Sequence, residues 1–248
     1  MPKPLFIVGS GRSGTTLVRA MLNAHPQLHV SKESSFWAIV RPKKYARNPA
    51  KELQRYFRSV PFGWLQMDRD ASLQQIPQGA SLGDVFRLLL EADSQRHGKP
   101  HWGDKTPTHW MAIDELRAAF PDAVIIHLIR DPRKVVGSLL RMPWGSPSLI
   151  MNAVYVQWTL RTLQKRDDVI HIRFEDFLAA PEETLRSILQ ACELPWSDRV
   201  LQHHRYSPND VSGLPWLTQA YQEPKPEEPK SVERPRSLGH KQSAAVSL

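Results

Sequence analysis

"FIVGSGRSGTT", Phe6–Thr16, is the stretch that decides how the chain reads. An apolar run from Leu5 to Val8 leads into Gly9, four more residues, Gly14, and the pair Thr15 and Thr16. Beyond it, Leu17, Val18, Met21 and Leu22 recur at helical spacing, so the stretch reads as strand, glycine loop and helix. Such a unit aims backbone N–H groups and the positive end of a helix dipole at one spot, which is an anion site. Ser10, Ser13, Thr15 and Thr16 add hydroxyl donors, and Arg12 adds a planar fork suited to bidentate contact with an oxyanion. Loops that cradle the phosphates of ATP or GTP read G-x-x-x-x-G-K-[ST]. Here Thr15 stands where the lysine belongs, and Arg12 sits inside the loop instead.

Outward from this loop, strands and helices alternate. Leu28-His29-Val30 reads as a short strand, followed by the polar stretch Ser31-Lys32-Glu33-Ser34-Ser35. Residues 36–78 are aromatic and basic without a steady period, which suits short helices and loops. Ser81 and Asp84 form a capping-box pattern ahead of a helix to about Arg96. "HWGDKTPTHW", 101–110, reads as a loop that opens a helix over 108–119. Ala123–Ile129 is continuously apolar, as a strand buried on both faces of a parallel sheet would be. Asp131 then caps a helix with Pro132 at its first position. A helix over 148–166, a strand over Val169–Arg173 and a helix over 181–192 complete the pattern. The fold class expected is three-layer α/β/α around a central parallel sheet. One domain is expected over 1–221 and a Pro-rich, charged, mobile tail over 222–248, where Pro224, Pro226, Pro229 and Pro235 fall among Glu, Lys and Ser.

Composition narrows the classes. The chain of 248 residues is 41% hydrophobic and 23% charged, which suits one globular domain of good size. No apolar run approaches the roughly 18 residues of a membrane-spanning helix. The apolar stretch near the N-terminus is too short for a signal peptide, and a cytoplasmic location is expected. The single cysteine, Cys192, excludes an internal disulfide and falls at a core position of a helix. The net charge of +8 is scattered, and leaves nucleic acid and a small polyanion on an equal footing.

A second basic position matters for the ligand. "HLIRD" ends its strand in Arg130, where a metal-dependent phosphate site would carry an acidic residue. A basic residue there suits a second phosphate on the ligand. With these residues in view, "FIVGSGRSGTTLVRAMLNAHPQL" together with "VIIHLIRDPRKVVGSL" resembles the sulfotransferases that use 3'-phosphoadenosine 5'-phosphosulfate (PAPS), whose fold is related to that of P-loop NTPases. The similarity is greatest to the branch that includes protein-tyrosine sulfotransferases and many bacterial enzymes. "HWGDKTPTH", "IRFEDFLAAPEETLRSIL" and "LPWSDRVLQHH" extend it over about residues 4–205.

The resemblance implies roles. Gly9, Ser10, Gly11, Arg12, Ser13, Gly14, Thr15 and Thr16 would grip the 5'-phosphosulfate, and Arg130 with Ser138 the 3'-phosphate. Glu33 falls where the tyrosine-sulfating branch has its catalytic glutamate, and Lys105 where a lysine polarises the sulfate-bearing group. Arg12 and Lys105 would offset charge on the leaving phosphate with no metal. The expected reaction is sulfuryl transfer from PAPS to a hydroxyl or amine acceptor, leaving 3'-phosphoadenosine 5'-phosphate, with Glu33 as base. His101, His109 and His127 are alternative bases, His127 reading as structural. The acceptor class and oligomeric state are not legible, and no nucleic acid partner or stable membrane insertion is expected. Residues 36–100, with Phe36, Trp37, Tyr45, Tyr56, Phe57, Phe62 and Trp64, either shape a partly apolar acceptor pocket or form a helical cap with its own core.

Several residues depart from the family pattern. Lys32 replaces the first of two adjacent glutamates, Met142 stands where an arginine is expected, and Phe174 replaces a common tyrosine. "SVERPR", 231–236, is a degraded form of the basic motif that closes over the nucleotide. A nucleotide kinase needing Mg²⁺, and a binding protein without turnover, are the competing classes.

Overall fold

The computed structural model describes residues 3–206. Five strands, β1 (Leu5–Gly9), β2 (Leu28–Ser31), β3 (His101–Lys105), β4 (Val124–Ile129) and β5 (Ile170–Arg173), form one sheet in the order β2-β3-β1-β4-β5. All the pairings are parallel. Leu5, Phe6, Ile7 and Val8 of the central strand are wholly buried, because β1 has helices on both faces. This is why β1 and β4 are continuously apolar rather than alternating.

Helix α1 (Thr15–Asn23) follows the glycine loop. Short helices α2 (Phe36–Ile39), α3 (Pro42–Arg47), α4 (Pro49–Phe57), α5 (Val60–Trp64) and α6 (Arg69–Gln74) precede the longer α7 (Leu82–Arg96). A 3₁₀ turn over Pro107–Ala112 leads into α8 (Ile113–Ala119). Then come α9 (Pro132–Leu139), α10 (Leu149–Leu163), α11 (Phe174–Ala179), α12 (Pro181–Ala191) and α13 (His203–Tyr206), the last after a 3₁₀ turn over Asp198–Gln202. On one face of the sheet α1, α11 and α12 pack Val18, Leu22, Phe177, Leu185 and Ile188 against Ile7, Val30 and Ile126. On the other, α7, α8 and the short helices pack Phe86, Leu90, Leu116 and Phe36 against Phe6, Val8 and Ile125. The three-layer α/β/α architecture is therefore as expected.

One element differs from the sequence reading. Residues 101–105 are not loop but β3, inserted between β2 and β1, with Gly103 opposite both Leu5 and Val30. The helix after it starts at Ile113, behind the 3₁₀ turn. The strand was masked because its buried residues include Asp104 and Lys105, whose charges are met by neighbouring side chains rather than by solvent.

The aromatic residues of the 36–78 region are mostly core. Phe36, Trp37, Tyr56, Phe57 and Phe62 are at most 7% exposed. Phe36 stacks on Phe86 at 4.8 Å and meets Tyr56 edge-on at 4.9 Å. These five belong to the main core on this face of the sheet, in one cluster with Phe6, Val8 and Ile125, and not to a separate small core of the region. The boundary expected near residue 221, the tail and the 231–236 motif lie outside the described residues. Among the described residues no helix is long and apolar enough to cross a membrane.

Candidate active site

In a parallel sheet all carboxyl ends face one edge, and a crevice opens where neighbouring connections leave in opposite directions. That edge holds the glycine loop after β1, Glu33 after β2, Lys105 at the end of β3 and Arg130 after β4. Register explains why Glu33 and Lys105 meet. Ser31 pairs with Asp104, so β2 and β3 end together. Lys105 Nζ then lies 2.5 Å from Glu33 Oε1.

The loop that carries Glu33 is tied down by β3. Asp104 Oδ1 accepts from the Ser34 amide at 3.4 Å, and Thr106 Oγ1 accepts from the Ser35 amide at 3.2 Å. His109 Nε2 accepts from the Trp37 amide at 3.3 Å, which leaves the ring proton on Nδ1, 3.0 Å from Asp104 Oδ2. Asp104 and Thr106, which the sequence reading missed, and His109, which it read as an alternative base, thus hold this loop in place. Their signal was a polar cluster, "GDKTPTH", in a segment of buried residues. Lys105 is buried, and burial lowers its pKa, while the facing Glu33 carboxylate works in the other direction.

The glycine loop closes on the second cluster. Arg12 takes a left-handed backbone conformation at φ 71°, and its Nε donates to Ser138 Oγ at 3.0 Å. Arg130 Nη1 donates to the Arg12 carbonyl at 3.2 Å. Arg12, Arg130 and Ser138 are therefore brought together beside the glycine loop. Burial lowers the Arg12 pKa, and Arg130 and Arg141 lower it further, so three guanidinium groups share one field. Arg141 stands next to Met142, the position where an arginine was expected.

Not every hydroxyl in the loop is available. Ser13 Oγ donates to the Ser10 carbonyl at 2.8 Å and stiffens the turn. The Thr15 and Thr16 amides open α1 and have no carbonyl partner within the helix. Two further residues contact the loop: Tyr155 Oη accepts from the Gly11 amide at 3.4 Å, and the Phe174 ring packs on Gly14. The guanidinium carbon of Arg130 lies 5.0 Å from the centre of the same ring. Phe174 thus gains a packing and cation–π role in place of the hydroxyl contact it forgoes.

Of the alternative bases, His101 starts β3 and lies at the amino edge of the sheet, away from the glycine loop. His109 is committed to Asp104 and the Trp37 amide. His127 is wholly buried in β4, where Nδ1 lies 3.1 Å from His171 Nδ1. Burial pushes its pKa down to about 3, which makes it a structural imidazole. Cys192 is buried as expected, and burial pushes its thiol up to about 12.

The residues present suit a ligand with two anionic ends. Arg130 Nε is buried and has no hydrogen-bond partner among the described residues, as a donor reserved for a ligand would be. The glycine loop and the open amides of α1 offer a second set of donors on the other side of Arg12.

Comparisons with known proteins bear on the family and the fold. Residues 4–198 match the family model described as "Sulfotransferase family". Protein-tyrosine sulfotransferase 1 of Danio rerio is 26% identical over 212 residues, 80% of this chain and 55% of that protein. Nodulation protein NoeE of Sinorhizobium fredii is 31% identical over 157 residues, 59% of this chain and 33% of that protein. The chain spans about half the length, or less, of most of the curated relatives it matches. Among solved structures, the sulfotransferase domain of the Synechococcus PCC 7002 olefin synthase superposes with a TM-score of 0.62 at 19% identity, covering 100% of this chain and 95% of that one. The sulfotransferase domain from the curacin biosynthetic pathway gives 0.59 at 22% identity, covering 100% and 97%.

Proposed function

The chain belongs to the sulfotransferase family, and from that premise we propose that it moves the sulfuryl group of PAPS to an acceptor hydroxyl by in-line transfer, with Glu33 as the base and without a metal ion. The observation that carries this reading is the Glu33–Lys105 contact of 2.5 Å at the same sheet edge as the glycine loop. PAPS supplies an activated sulfuryl group whose bond to the bridging oxygen breaks as the acceptor oxygen bonds to sulfur. Glu33 takes the acceptor proton. Lys105 and Arg12 hold the negative charge that stays with the departing 5'-phosphate. Arg130 and Ser138 hold the 3'-phosphate and so fix the register of the nucleotide along the crevice. Little else is asked of the protein, because positioning and charge control dominate transfer of this kind.

The test is transfer of labelled sulfate from PAPS to a panel of phenols, sugars, lipids and peptides, in EDTA. Transfer should proceed, and the protein should bind 3'-phosphoadenosine 5'-phosphate more tightly than AMP. Arg130→Ala should erase most of that preference, because a charged hydrogen bond contributes roughly 1.5–3 kcal/mol. Equal affinity for the two nucleotides would overturn the donor assignment. Strict Mg²⁺ dependence with ATP turnover would favour a phosphotransferase instead. Nucleotide binding with no transfer to any acceptor would favour a binding protein.

A further inference from the structure

Helix α10 is apolar on both of its sides. One side is core: Val156 and Leu163 are buried, and Leu163 joins the cluster on the α7 and α8 face of the sheet. The other side faces solvent, yet Ile150, Val154 and Trp158 follow one another there at four-residue spacing, with Met151 beside them. The Trp158 ring meets Trp110 edge-on at 4.7 Å, and Met111 is the next residue. Trp144, in the loop that leads into α10, lays its ring on Gly11, where a Cβ would lie 3.2 Å from it. Met111, Trp144, Ile150, Met151, Val154 and Trp158 are each between 51% and 66% exposed. Large apolar side chains grouped in this way at the surface mark a docking site.

The charges around this face select what docks. No Asp or Glu occurs from Pro132 to Arg166, and no charge of either sign from Met142 to Leu160. Cations stand at the margins: Lys134 and Arg141 before the apolar stretch, Arg161 and Lys165 after it. All four are exposed and have no ion pair among the described residues. Arg161 continues the exposed stripe three residues past Trp158. Asp114, three residues beyond Met111, is taken up by Arg166 at 2.7 Å. A second copy docked about a two-fold axis would bring the same cations to both sides of the contact, with no carboxylate from this segment to meet them. Exposed Trp among aliphatic side chains, with Lys and Arg at the rim, is instead the composition of a helix that lies in the headgroup layer of an anionic bilayer. Arg161 and Lys165 can keep their charges among lipid phosphates while their stems follow the apolar face.

We propose that the exposed face of α10 docks on an anionic lipid surface, with Ile150, Val154 and Trp158 entering the headgroup layer. Because Trp144 packs on Gly11, the docked face borders the glycine loop. The docking does not depend on the transfer chemistry and is tested without it.

Ile150→Cys, labelled with a polarity-sensitive fluorophore, reads the docking directly. Cys192 does not compete for the label, because it is buried and its thiol is pushed up to about 12. With vesicles of about one part phosphatidylserine to three of phosphatidylcholine, the emission should shift to the blue. The same label on Gln190→Cys, in α12 across the sheet, should not respond. In vesicle sedimentation of the unlabelled protein, Arg161→Gln and Lys165→Gln should each weaken binding about fivefold. Ile150→Ser combined with Val154→Ser should weaken it about tenfold or more. These four side chains are exposed, so the variants should keep the fold, which circular dichroism checks. Failure to sediment with these vesicles, or equal binding to phosphatidylcholine alone, would overturn the proposal. So would binding that is lost with Lys43→Gln and Lys44→Gln, exposed in α3, and unchanged in the α10 variants, since that assigns it to charge elsewhere. A label already blue-shifted without vesicles would overturn it as well. If that shift ignored protein concentration, the chain's own residues 207–248 would be the cover; if it followed concentration, a second copy would be.

Discussion

Lys105 is an ammonium group with 2% of its surface exposed, and such a charge is tolerated only beside a counter-charge. Glu33 supplies it at 2.5 Å while keeping a third of its own side chain open to the crevice. The pair therefore has one end buried and one end open, as the proposed role of Glu33 as base would need. Glu33→Gln keeps the size of the side chain but cannot take the proton. Turnover on an alkyl alcohol should fall by about 10²–10⁴. The fall should shrink for acidic phenols, which are ionised at the assay pH and need no base. Nucleotide affinity, measured by calorimetry, should stay nearly constant because Arg130 and Ser138 are untouched. Full turnover of the variant on a simple alcohol would remove Glu33 from the chemistry.

At the scale of elements, what could be read from sequence depended on whether a segment satisfied its polar groups locally. The β1–loop–α1 unit was legible because its apolar run, glycines and helical spacing are all local signals. β4 and its Asp131-Pro132 cap were legible for the same reason, and Asp131 does accept from the Arg133 amide at 2.9 Å. β3 was not, since Asp104 and Lys105 are satisfied by residues about 70 positions away or across a turn. The aromatic residues of α2 to α5 were ambiguous because burial against Phe86 is a long-range fact. Two glycines test how rigidly these elements are held. A Cβ on Gly103 would lie 2.6 Å from the Leu5 carbonyl oxygen, in the backbone of the neighbouring strand. A Cβ on Gly14 would lie 2.3 Å from the Phe174 ring, at a φ of +98°. Both changes to Ala should destabilise, by about 1–3 kcal/mol or more for overpacking of this kind. Gly14→Ala should be partly rescued by Phe174→Ala, because the ring is a side chain that can be removed. Gly103→Ala has no such partner. Urea unfolding of the single and double variants measures this, and equal, unrescued losses at both positions would contradict it.

Across the whole molecule, the sheet holds neutral imidazoles on both sides of its central strand. His29 sits in β2 at one edge, with its pKa pushed down by burial to about 4 despite the facing Asp93. His127 sits in β4 beside the other edge, pushed down by burial to about 3, with His171 lowering it further. The buried Nε2 of His127 has no hydrogen-bond partner among the described residues, so a proton placed there would be unsolvated. In the unfolded chain both rings titrate near their ordinary value of about 6.5. Between that value and the folded-state values, the unfolded chain binds more protons than the folded one. Stability is therefore fully present above pH 6.5 and declines as the pH falls through the window down to about 4 for His29 and about 3 for His127. Each ring should contribute a slope approaching 1.4 kcal/mol per pH unit, or on the order of 2 kcal/mol lost by pH 5. Burial would raise the Asp93 pKa, but hydrogen bonds from His29, Ser31 and Arg96 outweigh it and hold that carboxylate below its ordinary range. Urea unfolding followed from pH 7.5 to pH 5 should show stability dropping by several kcal/mol, with His25 and His101, also lowered by burial, adding to the fall, and His127→Phe should make the slope measurably shallower. Unchanged stability over this range would mean that the two rings accept protons in the folded protein, and that the sheet edges are more open to water than their burial implies.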